Sequence, residues 1–178
     1  RGWPENQEAF WNAEAFMWGH KVSKEKRELI ANELDFLEGN NLDLGCGAYS
    51  YIPSVGFDIS EKMLAFNDNC IKRVCGNIEE PLPFNSNSFD SVTAVFLLNY
   101  VDDYRQLLSQ INRVLTSQGY LMVVLYSGNI NDWQRQKEVN KFTSDQWLSA
   151  IASCGFSVQF YEKEGLWFYK CSKLSIDL

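Results

Sequence analysis

Asp43, Gly45, Gly47 and Asp58 are the residues of this 178-residue chain whose types and spacing speak most directly of chemistry. They fall in "NLDLGCGAYSYIPSVGFDIS", Asn41 to Ser60. Two glycines directly after a short apolar run permit positive φ and let the backbone come close to a ligand. The N–H groups of such a turn can hold an anion such as a carboxylate or a phosphate. Asp58 closes the next apolar run, where a carboxylate can accept both hydroxyl hydrogens of a ribose. Two glycines alone are as readily an ordinary tight turn. Two acids ending neighbouring strands on one rim favour a ligand.

Other chemistry-bearing residues are sparse. The one histidine, His20, lies in an aromatic N-terminal segment with Trp3, Phe10, Trp11, Phe16 and Trp18. Asn99 and Tyr100 follow the strongest apolar run. The five cysteines (Cys46, Cys70, Cys75, Cys154 and Cys171) form no CxxC pair and have no histidine nearby, which argues against a zinc site. Free thiols in a reducing cytosol are the expected state, and the expected location is cytoplasmic. A formal net charge of −7 without a Lys/Arg run argues against a nucleic-acid partner. No apolar run approaches a membrane span, and no charged-then-apolar leader is seen. The chain opens on Arg1, which leaves room for residues upstream.

The elements that must position these groups alternate. Ser23 caps a helix carrying Leu29, Ile30, Leu34 and Leu37, and Gly39 ends it. Asn41–Leu44 and Val55–Asp58 read as buried strands, Ser60 as the cap of a helix with Met63 and Leu64, and Ile71–Cys75 as a third strand. Phe89–Leu98 is the strongest strand pattern. Tyr104, Leu107, Leu108, Ile111, Val114 and Leu115 form a helical stripe before a strand at Tyr120–Tyr126. Thr143 and Gln146 resemble a capping box, and two late strands flank "EKEG" as a hairpin. Alternation of this kind predicts an α/β three-layer sandwich with a mostly parallel sheet and an antiparallel C-terminal edge hairpin. Ligands of such sheets bind beyond the carboxyl ends of the strands, where the Gly45 turn lies.

Six segments in order resemble the class I S-adenosylmethionine-dependent methyltransferases, most closely the small-molecule, quinone-biosynthesis-like (methyltransferase type 11) group. They are "LDLGCG", "GFDISEKML", "GNIEEPLPF", "FDSVTAVFLLNYVDD", "INRVLTSQGYLMVVLYS" and "FTSDQWLSAIASCGFSV". The resemblance spans about Leu42 to Lys173. It implies a Rossmann-like, seven-stranded sheet in one domain, residues 1–178, with 1–38 as an N-terminal helical cap and 39–178 as the core. It implies S-adenosylmethionine as cofactor, with S-adenosylhomocysteine as product. Carried over by position, Asp43 would organise the loop and contact the cofactor's amino group. Gly45 and Gly47 would make room for the methionine portion, and Asp58 would hold the ribose. Ile59 and Met63 would pack on adenine, Asn77 and Ile78 would sit at its edge, and Val95 and Phe96 would line the methionine side. His20 and Tyr100 are the candidate catalytic residues, each with packing as its plain alternative. The implied partner is a small-molecule acceptor, and the implied assembly a monomer or homodimer. The aromatic N-terminal segment hints at an apolar or aromatic acceptor, or simply docks its helix. No Asn/Asp-Pro-Pro-Tyr motif appears, which disfavours nucleic-acid amino methylation.

The chain also departs from that pattern. Tyr49 stands where a third glycine is usual, Asn77 replaces an aspartate, and Gln118 replaces a glycine before strand five. Only Gly45 to Ser54 connect the first two strands, too few for a full βαβ crossover. The first helix is therefore expected to shrink to a turn or two around Ala48–Tyr51, stopped by Pro53. Two other readings remain. One is a catalytically inactive methyltransferase-fold binding or interaction module. The other is a nicotinamide dehydrogenase, which would want glycine at position 50 where Ser50 stands.

Overall fold

The computed structural model describes residues 8–12, 22–128 and 138–174. Seven strands form one sheet: β1 (Asn41–Leu44), β2 (Ser54–Asp58), β3 (Cys70–Cys75), β4 (Phe89–Val95), β5 (Leu115–Tyr126), β6 (Phe156–Lys163) and β7 (Leu166–Lys173). Their order is β3-β2-β1-β4-β5-β7-β6. The first five strands pair in parallel, whereas β7 runs antiparallel to both β5 and β6. The hairpin turn is Glu164–Gly165, both at positive φ, as a two-residue turn between right-twisted strands requires. The sandwich, the sheet and its closing hairpin are those expected from the sequence.

Strand alternation sorts the sheet into two chemically different faces. Leu42, Leu44, Val92, Ala94, Leu121 and Val123 join one core, against Leu107, Leu108 and Ile111 of α3 (Tyr104–Val114) and Trp147 and Ile151 of α4 (Ser144–Ser153). Met122, Val124 and Phe168 join a second core with Ile30 and Leu34 of α1 (Lys24–Leu34). Glu33 of α1 also accepts hydrogen bonds from Tyr161 and Lys163 of β6, which pins that helix to the sheet's far edge. The caps are those the sequence suggested. Ser23, Ser60 and Thr143 each accept a backbone N–H, Ser60 doing so for α2 (Glu61–Phe66), and Thr143 with Gln146 completes a capping box.

Three local expectations are corrected. β4 ends at Val95 and not at Leu98, because Phe96 turns at φ 54° and Leu98–Tyr100 forms a 3-10 turn. β5 begins at Leu115, which pairs with Phe89 before a register shift brings Tyr120 opposite Ser91. Leu115 therefore belongs to the strand and not to the helix whose stripe it continues. Finally, residues 45–53 contain no helix at all. Side chains from elsewhere in the chain hold that segment instead.

Candidate active site

Beyond the carboxyl ends of β1, β2 and β4 lies a hollow, at the point where the chain leaves β1 for β2 on one side and returns as β4 on the other. It is bordered by Asp43, Gly45, Gly47, Asp58, Ile59, Met63, Asn77, Ile78, Val95, Phe96 and Tyr100. The structure thus brings together every proposed cofactor residue and one of the two proposed catalytic residues. The other, His20, lies outside the described residues.

The glycine turn is built as foreseen but wired differently. Gly45 and Gly47 both have positive φ, 59° and 58°. Their donors, however, are taken internally. Gly45 N–H and Cys46 N–H donate to Phe57 O (2.7 and 3.3 Å), and Gly47 N–H donates to Asp58 Oδ2 at 2.9 Å. The anion-holding role expected of these N–H groups is therefore not open to them. The turn instead fixes the second carboxylate.

Asp58 accepts Gly47 N–H on one oxygen and Ser60 N–H on the other at 2.8 Å. Burial raises its pKa even though these bonds favour the anion. The Ile59 backbone adds to these, and a carboxylate has about four acceptor sites, so capacity remains for a ligand hydroxyl. Asp43 is buried more completely. Its oxygens accept the Ser50 hydroxyl (2.6 Å) and the Thr93 hydroxyl (2.8 Å), and desolvation drives its pKa up to about 7.

A chain of buried polar side chains underlies the shortened crossover. Asn41 and Asp43 of β1 pair in register with Ser91 and Thr93 of β4. Asn41 Nδ2 donates to Ser54 Oγ and Thr93 Oγ1, and its Oδ1 accepts Ser91 Oγ–H. Across the loop, Asn67 Nδ2 donates to Gly47 O (3.2 Å) and Ser50 Oγ (2.9 Å), while its Oδ1 accepts Ser50 N–H and Asn69 N–H. Asn69 Nδ2 donates to Ser50 O at 2.7 Å. Backbone groups that a helix would have satisfied are satisfied here by two asparagines. Sequence reasoning missed Asn67, Asn69 and the part played by Ser50. No spacing rule joins residues seventeen apart when neither is a motif position.

The rim carries the departures. Tyr49 is part of the hollow's wall and is 37% exposed, its ring edge-on to Tyr51 at 5.0 Å. The guanidinium of Arg27, from α1, lies 4.5 Å from the Tyr49 ring centroid, and Arg27 and Tyr51 also border the hollow. Arg27, likewise missed from sequence, is the cation that borders the hollow among the described residues. Asn77 Oδ1 accepts Glu79 N–H at 2.9 Å, closing a local turn, so its oxygen is partly committed. Trp11 borders the hollow and meets Tyr100 edge-on at 5.6 Å, while Asn12 accepts the Ser60 hydroxyl.

Phe96 separates this hollow from a second pocket. Its positive φ is costly for a non-glycine residue and is held by Phe96 N–H to Val124 O and by stacking on Tyr126 (4.4 Å, 11°). Phe96 and Tyr100 line both cavities; Asn99, Tyr126, Phe142, Trp147 and Trp167 help to line the second. Asn99 Oδ1 is buried there with no hydrogen-bond partner among the described residues.

Comparison with known proteins fits this geometry. Residues 42–123 match a family model described as a methyltransferase domain. The chain is 34% identical over 100 residues to an uncharacterised protein of Methanocaldococcus jannaschii, covering 53% of this chain and 42% of that one. It is 39% identical over 89 residues to the demethylmenaquinone methyltransferase of Listeria monocytogenes, covering 45% and 37%, and 32% identical over 118 residues to that of Geobacillus kaustophilus, covering 56% and 50%. The chain thus spans half or less of the length of these curated relatives. Among solved structures, its fold is similar to an S-adenosylmethionine-dependent methyltransferase of Methanococcus maripaludis (TM-score 0.73, 14% identity, 99% of this chain and 100% of that one). It is also similar to the methyltransferase bound to the Trm112 activator in Haloferax volcanii (TM-score 0.72, 16% identity, 93% and 98%). With the β1 glycine turn, the β2 carboxylate and the 3-2-1-4-5-7-6 sheet in place, residues 42–123 match a methyltransferase domain, and the chain has the seven-stranded Rossmann-like fold of such domains.

Proposed function

We propose that the hollow binds S-adenosylmethionine and that the protein transfers its methyl group, by in-line displacement, to a small aromatic acceptor in the neighbouring pocket. The observation that carries this reading is the convergence of Asp58, Asp43, Arg27 and the apolar Ile59, Met63 and Ile78 on one hollow. The donor set suits the cofactor part by part. Asp58 has acceptor capacity left for a ribose hydroxyl, and Ile59, Met63 and Ile78 offer apolar surface to a purine. At the amino-acid end the ligand carries a carboxylate and an ammonium. Arg27 is placed to meet the first, and Asp43 the second. Because the glycine turn's own N–H groups are occupied, the carboxylate depends on the guanidinium more than on backbone donors.

When bound, S-adenosylmethionine supplies a methyl group already activated on a sulfonium sulfur. The protein's task is then alignment and exclusion of water. Phe96 and Tyr100 stand between the two cavities and set the approach of the acceptor. The aromatic walls of the second pocket suit a planar ring. The orphaned Asn99 oxygen suits a hydroxyl on that ring, whose proton it would accept. Relatives named demethylmenaquinone methyltransferases are in keeping with an aromatic acceptor.

Calorimetric titration with S-adenosylhomocysteine, followed by a turnover screen of phenols, hydroquinones and aromatic amines, tests both halves. Micromolar binding with turnover on hydroxylated rings is the expected result. Millimolar or absent binding would instead favour a binding module that retains the fold without transfer, a reading supported by the missing crossover helix.

A further inference from the structure

Cys46 and Cys70 lie far apart in the chain, yet their sulfurs meet over one point of β2. A Cβ added to Gly56 would stand 2.3 Å from Cys70 Sγ and 3.0 Å from Cys46 Sγ. Glycine at this position leaves the space that both sulfurs reach into. The two thiols differ in setting: Cys46 is buried inside the glycine turn, whereas Cys70, at the start of β3, is partly exposed. Both are free cysteines.

We propose that Cys46 and Cys70 form an oxidisable dithiol site over Gly56, closed to a disulfide by hydroperoxides, which resets the glycine turn and thereby the affinity for the cofactor. The Cys70 thiolate attacks the peroxide, breaking the O–O bond and becoming a sulfenic acid as water leaves. The Cys46 sulfur then attacks the sulfenic sulfur and expels a second water. The balance is two thiols and one hydrogen peroxide to one disulfide and two waters. Cys46 draws the Cys70 pKa below that of an ordinary thiol by hydrogen bonding and Arg73 adds to this, while the partner Cys46 is held protonated and raised. Cys70 is therefore the attacking group and Cys46 the resolving one. A disulfide needs sulfurs about 2.05 Å apart. The backbone that must yield is flanked by Gly45 and Gly47, the residues best able to change conformation. Any shift of Gly47 loosens its N–H bond to Asp58.

The disulfide does not depend on the cofactor reading; only its consequence for affinity does. Reduced protein is treated with hydrogen peroxide at a small molar excess, alkylated, and analysed by intact mass and peptide mapping. The expected product has lost two hydrogen atoms and carries a Cys46–Cys70 bridge that dithiothreitol reverses. Affinity for S-adenosylhomocysteine is expected to fall at least tenfold on oxidation and to recover on reduction. Cys70→Ser and Cys70→Ala should bind as reduced wild type does and ignore peroxide. A bridge between other cysteines, or over-oxidised Cys70 with Cys46 still alkylated, overturns the site. A mapped bridge with unchanged affinity overturns the regulation. Absence of binding in the reduced protein would count against the cofactor reading and leave the mapped bridge standing.

Discussion

Gly47 gives its backbone N–H to Asp58 Oδ2 across 2.9 Å, so the turn after β1 is fastened to the carboxylate that ends β2. Each half of the site orients the other. Replacing Asp58 by alanine removes the proposed ligand for the ribose and leaves the Gly47 and Ser60 N–H groups without their acceptor. Hydrogen bonds to a charged group contribute about 1.5–3 kcal/mol each. Asp58→Ala should therefore weaken S-adenosylhomocysteine binding on the order of 100-fold, with Asp58→Asn intermediate. Calorimetry on protein of unchanged circular dichroism checks this, and a loss below about threefold would remove Asp58 from the binding site.

Asn67 replaces much of what a helix would do for residues 47–50. Its side chain makes four hydrogen bonds, to Gly47 O, Ser50 Oγ, Ser50 N–H and Asn69 N–H. Asn67→Ala strands several buried polar groups, each at about 1–3 kcal/mol, and some of these will find water. A net destabilisation of about 3 kcal/mol in urea unfolding is the expected outcome, with cofactor affinity falling as well. A loss under about 1 kcal/mol would show that the loop holds without it.

That contrast shows what was legible. The caps at Ser23, Ser60 and Thr143, the strand alternation and the Glu164–Gly165 hairpin follow from local stereochemistry, and local stereochemistry is written in adjacent residues. Asp43, Gly45, Gly47 and Asp58 were legible because a short strand, a turn and a parallel strand place them on one rim whatever the rest does. Arg27, Asn67 and the turn at Phe96 were not. Arg27 reaches the hollow only because α1 docks on the second face of the sheet, and Phe96 turns only because packing on Tyr126 and the bond to Val124 O hold it at positive φ. The helix expected near Ala48–Tyr51 failed because asparagines from beyond β2 offered its backbone better partners.

Asp43 should make the ligand-free protein pH-sensitive. Its folded pKa is raised to about 7 by burial, against 3.8 as the ordinary value. The folded state then holds a proton that the unfolded chain has released. That stabilisation is complete below about pH 4 and is lost as pH rises through about 7, amounting to about 4 kcal/mol at most. Asp58 shifts in the same direction. Stability measured by denaturant should decline from pH 5 to pH 8, and Asp43→Asn should flatten the profile. A ligand ammonium reverses the bias, so cofactor binding below pH 7 should release a proton, seen as buffer-dependent heat. A profile that rises with pH in the wild type would contradict this account.

Arg27 gives a prediction that separates charge from shape. Its guanidinium faces the hollow against the Tyr49 ring. Arg27→Ala should weaken the cofactor about tenfold or more, and Arg27→Lys should recover only part of it, because an ammonium neither stacks on the ring nor grips a carboxylate with two parallel donors. A decarboxylated cofactor analogue is the control: its affinity should be low in wild type and unchanged by either substitution. Equal losses for both ligands would assign Arg27 to packing of α1.

Tyr100 borders both cavities, with Trp11 edge-on against its ring. A sulfonium donor needs no proton moved to activate it, so a wall residue can matter to turnover without acting as an acid or a base. Two substitutions divide these roles. Tyr100→Phe keeps the wall and removes the hydroxyl; Tyr100→Ala removes both. If the ring positions the acceptor, phenylalanine should hold kcat within about twofold with an unchanged pH profile, while alanine raises the acceptor KM about tenfold, the loss of packing expected for a buried aromatic contact. If kcat instead falls on the order of 100-fold in the phenylalanine variant and the rise of rate with pH disappears, the hydroxyl takes part in proton transfer and Tyr100 is a catalytic base.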